Sequence, residues 1–231
     1  MSRAKTIVLI HSPLVGPMVW EPVAAELRSR NIGVVVPDLD GYDTAEEPLW
    51  WQHARAASVS VAGLSADTAY VLVGHSGAGA LLPAIREVAG FVAAGYIFVD
   101  AGLPQGDTSQ IDGPFGPQLK VIYGSGQRYP NWSDADLSDA IPDRDTRQRL
   151  LQQVRPQPLR FWKETVPVFD GWPDAPCGYL RFSLNSAYEG PATEAQRRGW
   201  SYAQLAGDHF HMLVDPIAVT DALLELSQGR L

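Results

Sequence analysis

The sequence predicts an α/β fold built on a mostly parallel, doubly wound sheet, and three features support this prediction. Continuous apolar runs, typical of strands covered on both faces, occur at 6–10, 34–38, 69–73 and 95–100. Segments with apolar residues at helical spacing lie between these runs, and strands that alternate with helices form parallel sheets. The third feature is a strand that turns sharply into a helix at Ser76. The length of 231 residues suits one sizeable core.

The turn at Ser76 is the most informative stretch of the sequence. Residues 70–79 read YVLVGHSGAG, an apolar strand that stops at a glycine and continues through small residues into a helix. Small neighbours allow the cramped backbone that presents a serine hydroxyl above a sheet, which is the geometry of a nucleophile elbow. The usual pattern is Gly-x-Ser-x-Gly, whereas this chain has Ala78 in the last position and Gly79 directly after it. The pattern predicts that Ser76 is a nucleophile.

The first half of the chain is predicted from its apolar spacing and from its glycines and prolines. Trp20, Val23 and Leu27 share one face of a helix, which Gly33 ends. An amphipathic pattern precedes the elbow strand, and Pro83, which lacks a backbone donor, predicts a kink in the helix after the elbow. The elements expected here are a strand at 6–10, a helix at 20–30, a strand at 34–38, a helix at 50–67, a strand at 69–73 and a helix that ends at Gly90.

The second half of the chain contains a long excursion between two strands. Residues 104–176 are rich in Pro, Gly, Asp and aromatic side chains, and an insertion of this length is more often functional than idle. We therefore divide the chain into a core, 1–103 with 177–231, and a small helical cap, 104–176, inserted before the last two strands. The elements expected here are a strand at 95–100, helices at 134–154 and 159–165, a strand at 178–182, a helix at 193–198, a strand at 200–205 and a helix at 216–228.

Composition and charge argue against several classes of protein. Eighteen Lys and Arg against 26 Asp and Glu give a net charge of −8, so neither a nucleic-acid partner nor an anionic membrane surface is expected. The apolar run before His11 is too short for a signal peptide and no stretch approaches a membrane span, so we expect a cytoplasmic protein. The single cysteine, Cys177, cannot form an internal disulfide and is expected to pack as a small apolar group.

A serine hydroxyl is a weak nucleophile on its own. It needs a base within hydrogen-bond reach, and the base needs a group that holds its tautomer and stabilises its charged form. Downstream of Ser76 the chain offers His209 and His211 as the base.

These motifs resemble the α/β-hydrolase family, in its small esterase and hydroxynitrile-lyase-like branch. The resemblance covers nearly the whole chain and rests on the loop at His11-Ser12, the segments WEPV and VPDL, the elbow, and the segment around His209. It implies a sheet of the α/β-hydrolase type. It also implies that the base is the histidine about seven residues before Pro216, which is His209, and that His211 is a pocket-wall or capping side chain.

Three other histidines are expected to have supporting positions. By the same resemblance, His75 shapes the elbow and His11 structures the loop that holds the oxyanion. His53 lies in no motif and is expected on the surface.

The acid that orients the histidine is left between two residues. The resemblance places it after the penultimate strand, where the matching residue is Asn185, and an amide can orient an imidazole but cannot balance its charge. Glu189 could reach in from that loop, or the acid could be Asp100, at the end of the strand beside the elbow strand, which is a family alternative. Asp100 is preferred because a carboxylate at a strand end is held more rigidly than one in a loop. Asp208 is expected to be a turn residue.

The developing oxyanion needs hydrogen-bond donors, each worth about 3 kcal/mol. The backbone N–H of Gly77, directly after the nucleophile, is one expected donor. The resemblance places the second donor at position 13, but Pro13 has no N–H. Either the Leu14 N–H or the Ser12 hydroxyl takes its place, or the hole is incomplete and the reaction is not ordinary ester hydrolysis.

The resulting hypothesis is a serine hydrolase that cleaves a carboxylic ester, lactone or thioester of a hydrophobic small molecule, with no metal or organic cofactor implied. One alternative is a lyase or C–C hydrolase that uses the same serine and histidine for acid–base chemistry, motivated by the altered oxyanion loop. Another is a non-catalytic ligand-binding module, motivated by the missing conventional acid. The hydrophobic substrate is inferred from the aromatic side chains of the cap, which include Phe115, Tyr129, Trp132, Phe161, Trp162 and Trp172.

Overall fold

A six-stranded parallel sheet forms the centre of the computed structural model, which describes residues 5–40, 46–62 and 68–227. The strands are β1 Lys5–Ile10, β2 Gly33–Val35, β3 Ala69–His75, β4 Ala93–Val99, β5 Cys177–Phe182 and β6 Ser201–Leu205. Their order across the sheet is β2-β1-β3-β4-β5-β6, and every neighbouring pair is parallel. The prediction of a parallel α/β sheet is confirmed.

Helices cover both faces of this sheet. The helices in the described part of the chain are α1 Glu21–Ser29, α2 Leu49–Val61, α3 Leu82–Ala89, α4 Gly116–Gly124, α5 Arg144–Leu151, α6 Leu159–Lys163, α7 Glu189–Arg197 and α8 Pro216–Leu226. Helices α1 and α8 pack together on one face, and α2 and α3 pack together on the other. In the described part of the chain, no helix has both the length and the apolar character needed to cross a bilayer.

Successive residues of each strand point to opposite faces of the sheet and so enter two separate apolar clusters. In β1, Ile7 and Leu9 pack with α1 and α8, whereas Val8 and Ile10 pack with α2 and α3. All four side chains are almost completely buried. Burial on both faces explains why this strand is a continuous apolar run rather than an alternating one.

The register of β3 and β4 brings two polar side chains to the same edge of the sheet. His75 at the end of β3 lies opposite Val99 at the end of β4. The next residues of the two strands, Ser76 and Asp100, therefore leave the sheet side by side. Because the strands are parallel, both lie at the carboxyl end, where ligands bind in open α/β sheets.

The segment between β4 and β5 contains α4, α5 and α6, and the predicted helix at 134–154 is wrong in extent. Only a short 3-10 helix, Ala135–Leu137, and α5 form within it. Pro142 disfavours helical backbone in the preceding residue, and the Asp143 carboxylate then caps α5 by accepting the Thr146 N–H at 2.8 Å. Helix α4 was not predicted.

Two groups of apolar side chains in this segment form clusters with the rest of the chain. One group forms its own cluster with Leu49 of α2: Leu119, Phe161 and Trp162. A second group joins the cluster beneath α1 and α8: Leu137, Ile141 and Leu150. The segment is thus anchored through apolar contacts to α2 and to the cluster beneath α1 and α8, and its separation as a cap at 104–176 stays a prediction.

The helix after the elbow also differs from expectation. Ser76–Leu81 form a 3-10 helix and α3 begins only at Leu82, so Pro83 lies in the first turn, where a missing N–H costs little and no kink follows. Gly90 ends α3 as predicted, with a φ of +69°. Helix α7 begins earlier than predicted. The predicted helix ends at 63–67 and at 228 lie outside the described residues.

Candidate active site

Ser76 lies at the sharp turn between β3 and the 3-10 helix. Its φ of +58° falls in the left-handed region that non-glycine residues rarely adopt, so the backbone is strained at this residue. Gly74 and Gly79 make the turn possible, since a Cβ on Gly74 would meet neighbouring atoms at 3.0 Å and one on Gly79 would overlap the Gly102 carbonyl oxygen. Ala78 is accommodated in a fully buried position. The backbone at residue 79, and not at 78, therefore lies closest to the neighbouring backbone. This explains why the last glycine of the motif is at position 79.

Three side chains from distant parts of the chain form a continuous hydrogen-bonded series. Ser76 Oγ lies 3.1 Å from His209 Nε2, and His209 Nδ1 lies 2.7 Å from Asp100 Oδ2. Ser76 follows β3, Asp100 follows the neighbouring strand β4, and His209 lies in the loop between β6 and α8. The His209 side chain is 18% exposed, whereas that of Asp100 is completely buried. A hydroxyl, an imidazole and a carboxylate in this order can move a proton away from the hydroxyl.

Asp100 is fixed by its surroundings. Like the serine, it has a positive φ, +43°. Besides the histidine, two donors reach its carboxylate: the Phe182 N–H at 3.3 Å from Oδ1, and the Asn185 side-chain amide at 2.7 Å from Oδ2. The Tyr179 hydroxyl holds the next residue in place by hydrogen bonds to both the N–H and the carbonyl of Ala101, at 3.1 and 2.8 Å. Three donors suit an ionised carboxylate, which only accepts.

The other acidic candidates lie elsewhere. The Glu189 side chain is 65% exposed, and its carboxylate is 3.8 Å from the Arg181 guanidinium. Asp208 accepts the backbone N–H of His209 at 2.6 Å, as expected of a turn residue. The structure therefore brings Asp100, and not Glu189, to the imidazole.

Two further histidines hold the loops of the site. His75 is completely buried and donates from Nε2 to the His209 carbonyl at 2.9 Å. Burial, and after it the neighbouring His209, keeps the pKa of His75 well below its usual value, so the ring is neutral. The His11 ring bridges two loops, because its Nδ1 lies 2.8 Å from the Ser12 carbonyl and its Nε2 accepts the Leu39 N–H at 3.2 Å.

The expectation for His53 is wrong. The side chain is half-buried: Nδ1 lies 3.0 Å from the Leu39 carbonyl, and the ring packs edge-on against Phe161 of the cap. Burial lowers the pKa of His53. The sequence indicates an amphipathic helix but not the distant segment that covers its polar face. A surface position was therefore expected for His53. The His211 ring occupies the space where a Cβ on Gly207 would lie.

Ser12 and Gly77, two of the predicted oxyanion donors, lie next to each other beside Ser76. The Leu14 N–H donates to Ser12 Oγ at 3.3 Å, so this N–H already has an acceptor. Ser12 Oγ lies 3.4 Å from the position that a Cβ on Gly77 would occupy, with Pro13 just beyond. The Ser12 hydroxyl and the Gly77 backbone therefore border the same space.

The cap holds this loop from the other side. The Gln157 side-chain amide donates to the Pro13 carbonyl at 2.7 Å, and the Arg155 N–H donates to the Leu14 carbonyl at 2.8 Å. Arg155 also pairs through its guanidinium with Asp38, at 2.8 Å. This loop is thus held by residues about 140 positions away in the chain. The residues of the first bond, Pro13 and Gln157, are 144 positions apart.

A series of aromatic side chains in mutual contact connects the segment between β4 and β5 with His209. Tyr129 packs edge-on against Trp132 at 5.8 Å between ring centroids, Trp132 against Phe210 at 5.8 Å, and Phe210 against His209 at 5.2 Å. Phe115, Phe161 and Trp162 continue the contacts within the cap. Trp172 lies apart from them, against Tyr96, Phe98 and Trp200.

Sequence reasoning missed one side chain of the site, Tyr188. Its hydroxyl lies 3.0 Å from Ser76 Oγ, and its ring stacks on His209 with 5.0 Å between centroids and an interplanar angle of 7°. Tyr188 lies three residues after Asn185, in the loop where the family resemblance implies an acid. A tyrosine there carries no recognisable motif, so the signal lay only in its place in that loop.

Comparisons with known proteins agree with this architecture. The sequence profile of the alpha/beta hydrolase family matches residues 7–222, and the chain belongs to that family. No curated protein matches the sequence significantly.

Solved structures share the fold at low sequence identity. An extracellular alpha/beta-hydrolase from a Paenibacillus species is 18% identical, with a TM-score of 0.72, and the match covers 96% of this chain and 98% of that one. Tomato methylketone synthase I in complex with 2-tridecanone is 17% identical, with a TM-score of 0.73 and coverage of 98% and 99%. A methylesterase from Arabidopsis is 15% identical, with a TM-score of 0.73 and coverage of 97% and 99%.

Proposed function

We propose that the protein is a serine hydrolase that cleaves a carboxylic ester, lactone or thioester of a hydrophobic small molecule through an acyl-enzyme on Ser76. The observation that carries the proposal is the series Ser76–His209–Asp100, with separations of 3.1 and 2.7 Å. Family membership and the esterase among the similar structures agree with hydrolysis.

The hydrogen bonds assign a role to each member of the series. The carboxylate of Asp100 accepts the proton on His209 Nδ1, which leaves Nε2 unprotonated and facing Ser76. Nε2 takes the hydroxyl proton as Ser76 attacks the carbonyl carbon, and later gives it to the leaving group. Asp100 holds the imidazole in this tautomer and stabilises its charged form.

Gly77 and Ser12 are proposed to hold the oxyanion. Gly77 is the second residue of the 3-10 helix, where a backbone N–H has no partner within the helix. Ser12 Oγ accepts the Leu14 N–H, and its own proton then remains to be donated into the site. We therefore prefer the Ser12 hydroxyl to the Leu14 N–H as the second donor.

The aromatic series that ends at His209 supports an apolar substrate. Tyr129 and Trp132 present a partly exposed aromatic surface, which the buried ring of Phe210 connects to His209. Such a surface favours a hydrophobic acyl or leaving group, because burial of apolar area drives its binding.

Covalent labelling tests the proposal. The protein is treated with a fluorophosphonate, the peptide that contains Ser76 is analysed by mass spectrometry, and hydrolysis of p-nitrophenyl butyrate is followed. An adduct on Ser76 and loss of both adduct and turnover in Ser76→Ala are expected, with Ser125→Ala, an exposed serine on the cap, as the matched control. Turnover by Ser76→Ala at the wild-type rate refutes the nucleophile.

Pro13 favours one second candidate, a lyase or C–C hydrolase in which Ser76 and His209 act as an acid–base pair. The proline removes a backbone N–H that would help to hold a tetrahedral oxyanion. This reaction needs no acyl-enzyme, so rapid quenching during turnover distinguishes the two: a mass increase on Ser76 equal to the acyl group supports the hydrolase.

The non-catalytic alternative was based on the missing acid, and Asp100 at 2.7 Å from His209 removes that reason.

A further inference from the structure

The Tyr188 hydroxyl contacts the oxygen that is proposed to attack the substrate. The separation of 3.0 Å from Ser76 Oγ is that of an ordinary O–H···O hydrogen bond. We propose that Tyr188 is a further catalytic residue, whose hydroxyl donates a hydrogen bond to Ser76 Oγ and stabilises the partial negative charge that Oγ acquires as its proton passes to His209 Nε2. This inference rests on the proposed function.

The direction of the hydrogen bond follows from the rest of the series. The Asp100 carboxylate accepts from His209 Nδ1, so Nε2 is an acceptor, and Ser76 must donate its only proton to it. A hydroxyl that has donated its proton has only lone pairs left for other partners. The Tyr188 O–H is therefore the donor in its bond with Ser76.

Several contacts fix the tyrosine in this place. The ring is stacked on His209 at an interplanar angle of 7°, which restricts the orientation of the tyrosine ring. Tyr188 ends the 3-10 turn Ser186–Tyr188, in which the N–H of the second residue, Ala187, donates to the Asn185 side-chain oxygen at 3.1 Å. The amide nitrogen of the same Asn185 side chain donates to Asp100 at 2.7 Å. One asparagine thus links the turn that carries the tyrosine to the acid of the series.

The chemical state of the phenol suits a donor. Removal from water raises the pKa of Tyr188 above its usual value, and the hydrogen bond with Ser76 only partly opposes this effect. The phenol therefore keeps its proton at neutral pH. During attack, the Ser76 proton passes to His209 Nε2, and the bond from Oγ to the substrate carbon forms as the carbonyl π bond breaks. Tyr188 shares its proton without transferring it.

The expected size of the effect follows from the change in charge on Oγ. A hydrogen bond to a charged oxygen is stronger than one to a neutral oxygen, and the difference between the two corresponds to a factor of about 10 in rate. In the free protein the same bond is neutral and contributes little to stability. Loss of the hydroxyl should therefore slow attack much more than it weakens folding or substrate binding.

Tyr188→Phe isolates the hydroxyl, because the ring that stacks on His209 remains. We expect the rate constant for fluorophosphonate labelling of Ser76 and the kcat for p-nitrophenyl butyrate to fall about 10-fold, with KM and Tm nearly unchanged. The matched control is Tyr202→Phe, whose hydroxyl bonds only to Gln204 among the partners seen in the described structure, at 2.8 Å, and whose rate should equal that of the wild type.

A second variant keeps the test valid if phenylalanine at position 188 impairs folding. A fluorinated tyrosine at 188 retains the ring and hydroxyl and is a stronger donor, so labelling should be faster than in the wild type. Labelling at the wild-type rate in both variants overturns the role of Tyr188, as does a change in KM alone. These results leave the proposed nucleophile intact, whereas absence of labelling in the wild type overturns both proposals.

Discussion

Exchange of Asp100 and Asn185, the two residues that contact the His209 imidazole, gives the sharpest prediction. Asp100→Asn removes the carboxylate 2.7 Å from Nδ1 and leaves an amide that can stabilise the wrong tautomer. We expect kcat/KM to fall about 10³- to 10⁴-fold, the typical cost when the orienting acid of such a triad becomes an amide. The fold should remain, because an asparagine oxygen can still accept the Phe182 N–H.

Asn185→Asp alone should also be harmful, for an electrostatic reason. It places a second carboxylate where an amide nitrogen now lies 2.7 Å from Asp100 Oδ2. Two unit charges at that distance repel by about 6 kcal/mol at an effective dielectric constant of about 20. The pair therefore keeps a proton at neutral pH, and its raised pKa means that this variant gains stability as the pH falls and loses it as the pH rises.

The double variant Asp100→Asn/Asn185→Asp restores one acid and one amide with their positions exchanged. The Asn185 amide nitrogen is 3.1 Å from His209 Nδ1, so a carboxylate at position 185 lies close enough to accept the imidazole proton. We expect the double variant to recover about 10- to 100-fold of the activity lost in Asp100→Asn, because the charge balance returns while the geometry is less well supported.

Steady-state hydrolysis of p-nitrophenyl butyrate and Tm measurements over pH 5–8 provide the assay. Asn131→Asp, a change of the same type at an exposed residue, serves as the control and should have no effect. Wild-type kcat/KM in Asp100→Asn would refute the role of Asp100. A double variant no more active than Asp100→Asn would refute the reasoning that position 185 can supply the acid.

Three further predictions concern stability. Gln157→Ala leaves the buried Pro13 carbonyl without its 2.7 Å donor, so the free energy of unfolding should fall by about 1–2 kcal/mol; an unchanged Tm would contradict this. Tyr179→Phe removes two buried hydrogen bonds behind the acid and should cost about 2 kcal/mol in urea denaturation, with a negligible loss as the refuting result. The pKa of buried His75 lies well below its usual 6.5, so the unfolded state takes up a proton that the folded state refuses. The contribution of His75 to stability is therefore fully present above the unfolded-state pKa of about 6.5 and is lost as the pH falls, by up to about 1.4 kcal/mol per pH unit. His75→Gln should reduce this slope. An unchanged slope would mean that the ring is already charged in the folded protein.

Local patterns predicted much of the fold. The strands at 6–10 and 69–73 were recognisable because burial on both faces of a parallel sheet demands continuous apolar residues. The elbow was recognisable because a turn this tight requires small side chains around Ser76. The cap was predicted less well: the pattern at 134–154 suggested one helix, whereas the proline at 142 and the capping aspartate after it divide the segment.

The candidate site was predictable only in part, for a related reason. Ser76 and His209 lie in recognisable sequence motifs. Nothing near Tyr188 in the sequence indicates that its hydroxyl reaches the serine. The burial of His53 was also invisible, since the cap residue that covers it lies more than a hundred positions away in the chain.

By itself, the sequence determined a parallel α/β sheet, the place of a strained serine at the end of its third strand, and a histidine late in the chain. It did not determine which carboxylate the histidine meets, because Asp100 and His209 are 109 residues apart and their contact depends on strand register and on the loop after the last strand. Tertiary structure decided that choice, and with it the amide of Asn185 beside the acid and the phenol of Tyr188 beside the serine. Such selections depend on distances of about 3 Å between separate segments, which only the packed chain defines.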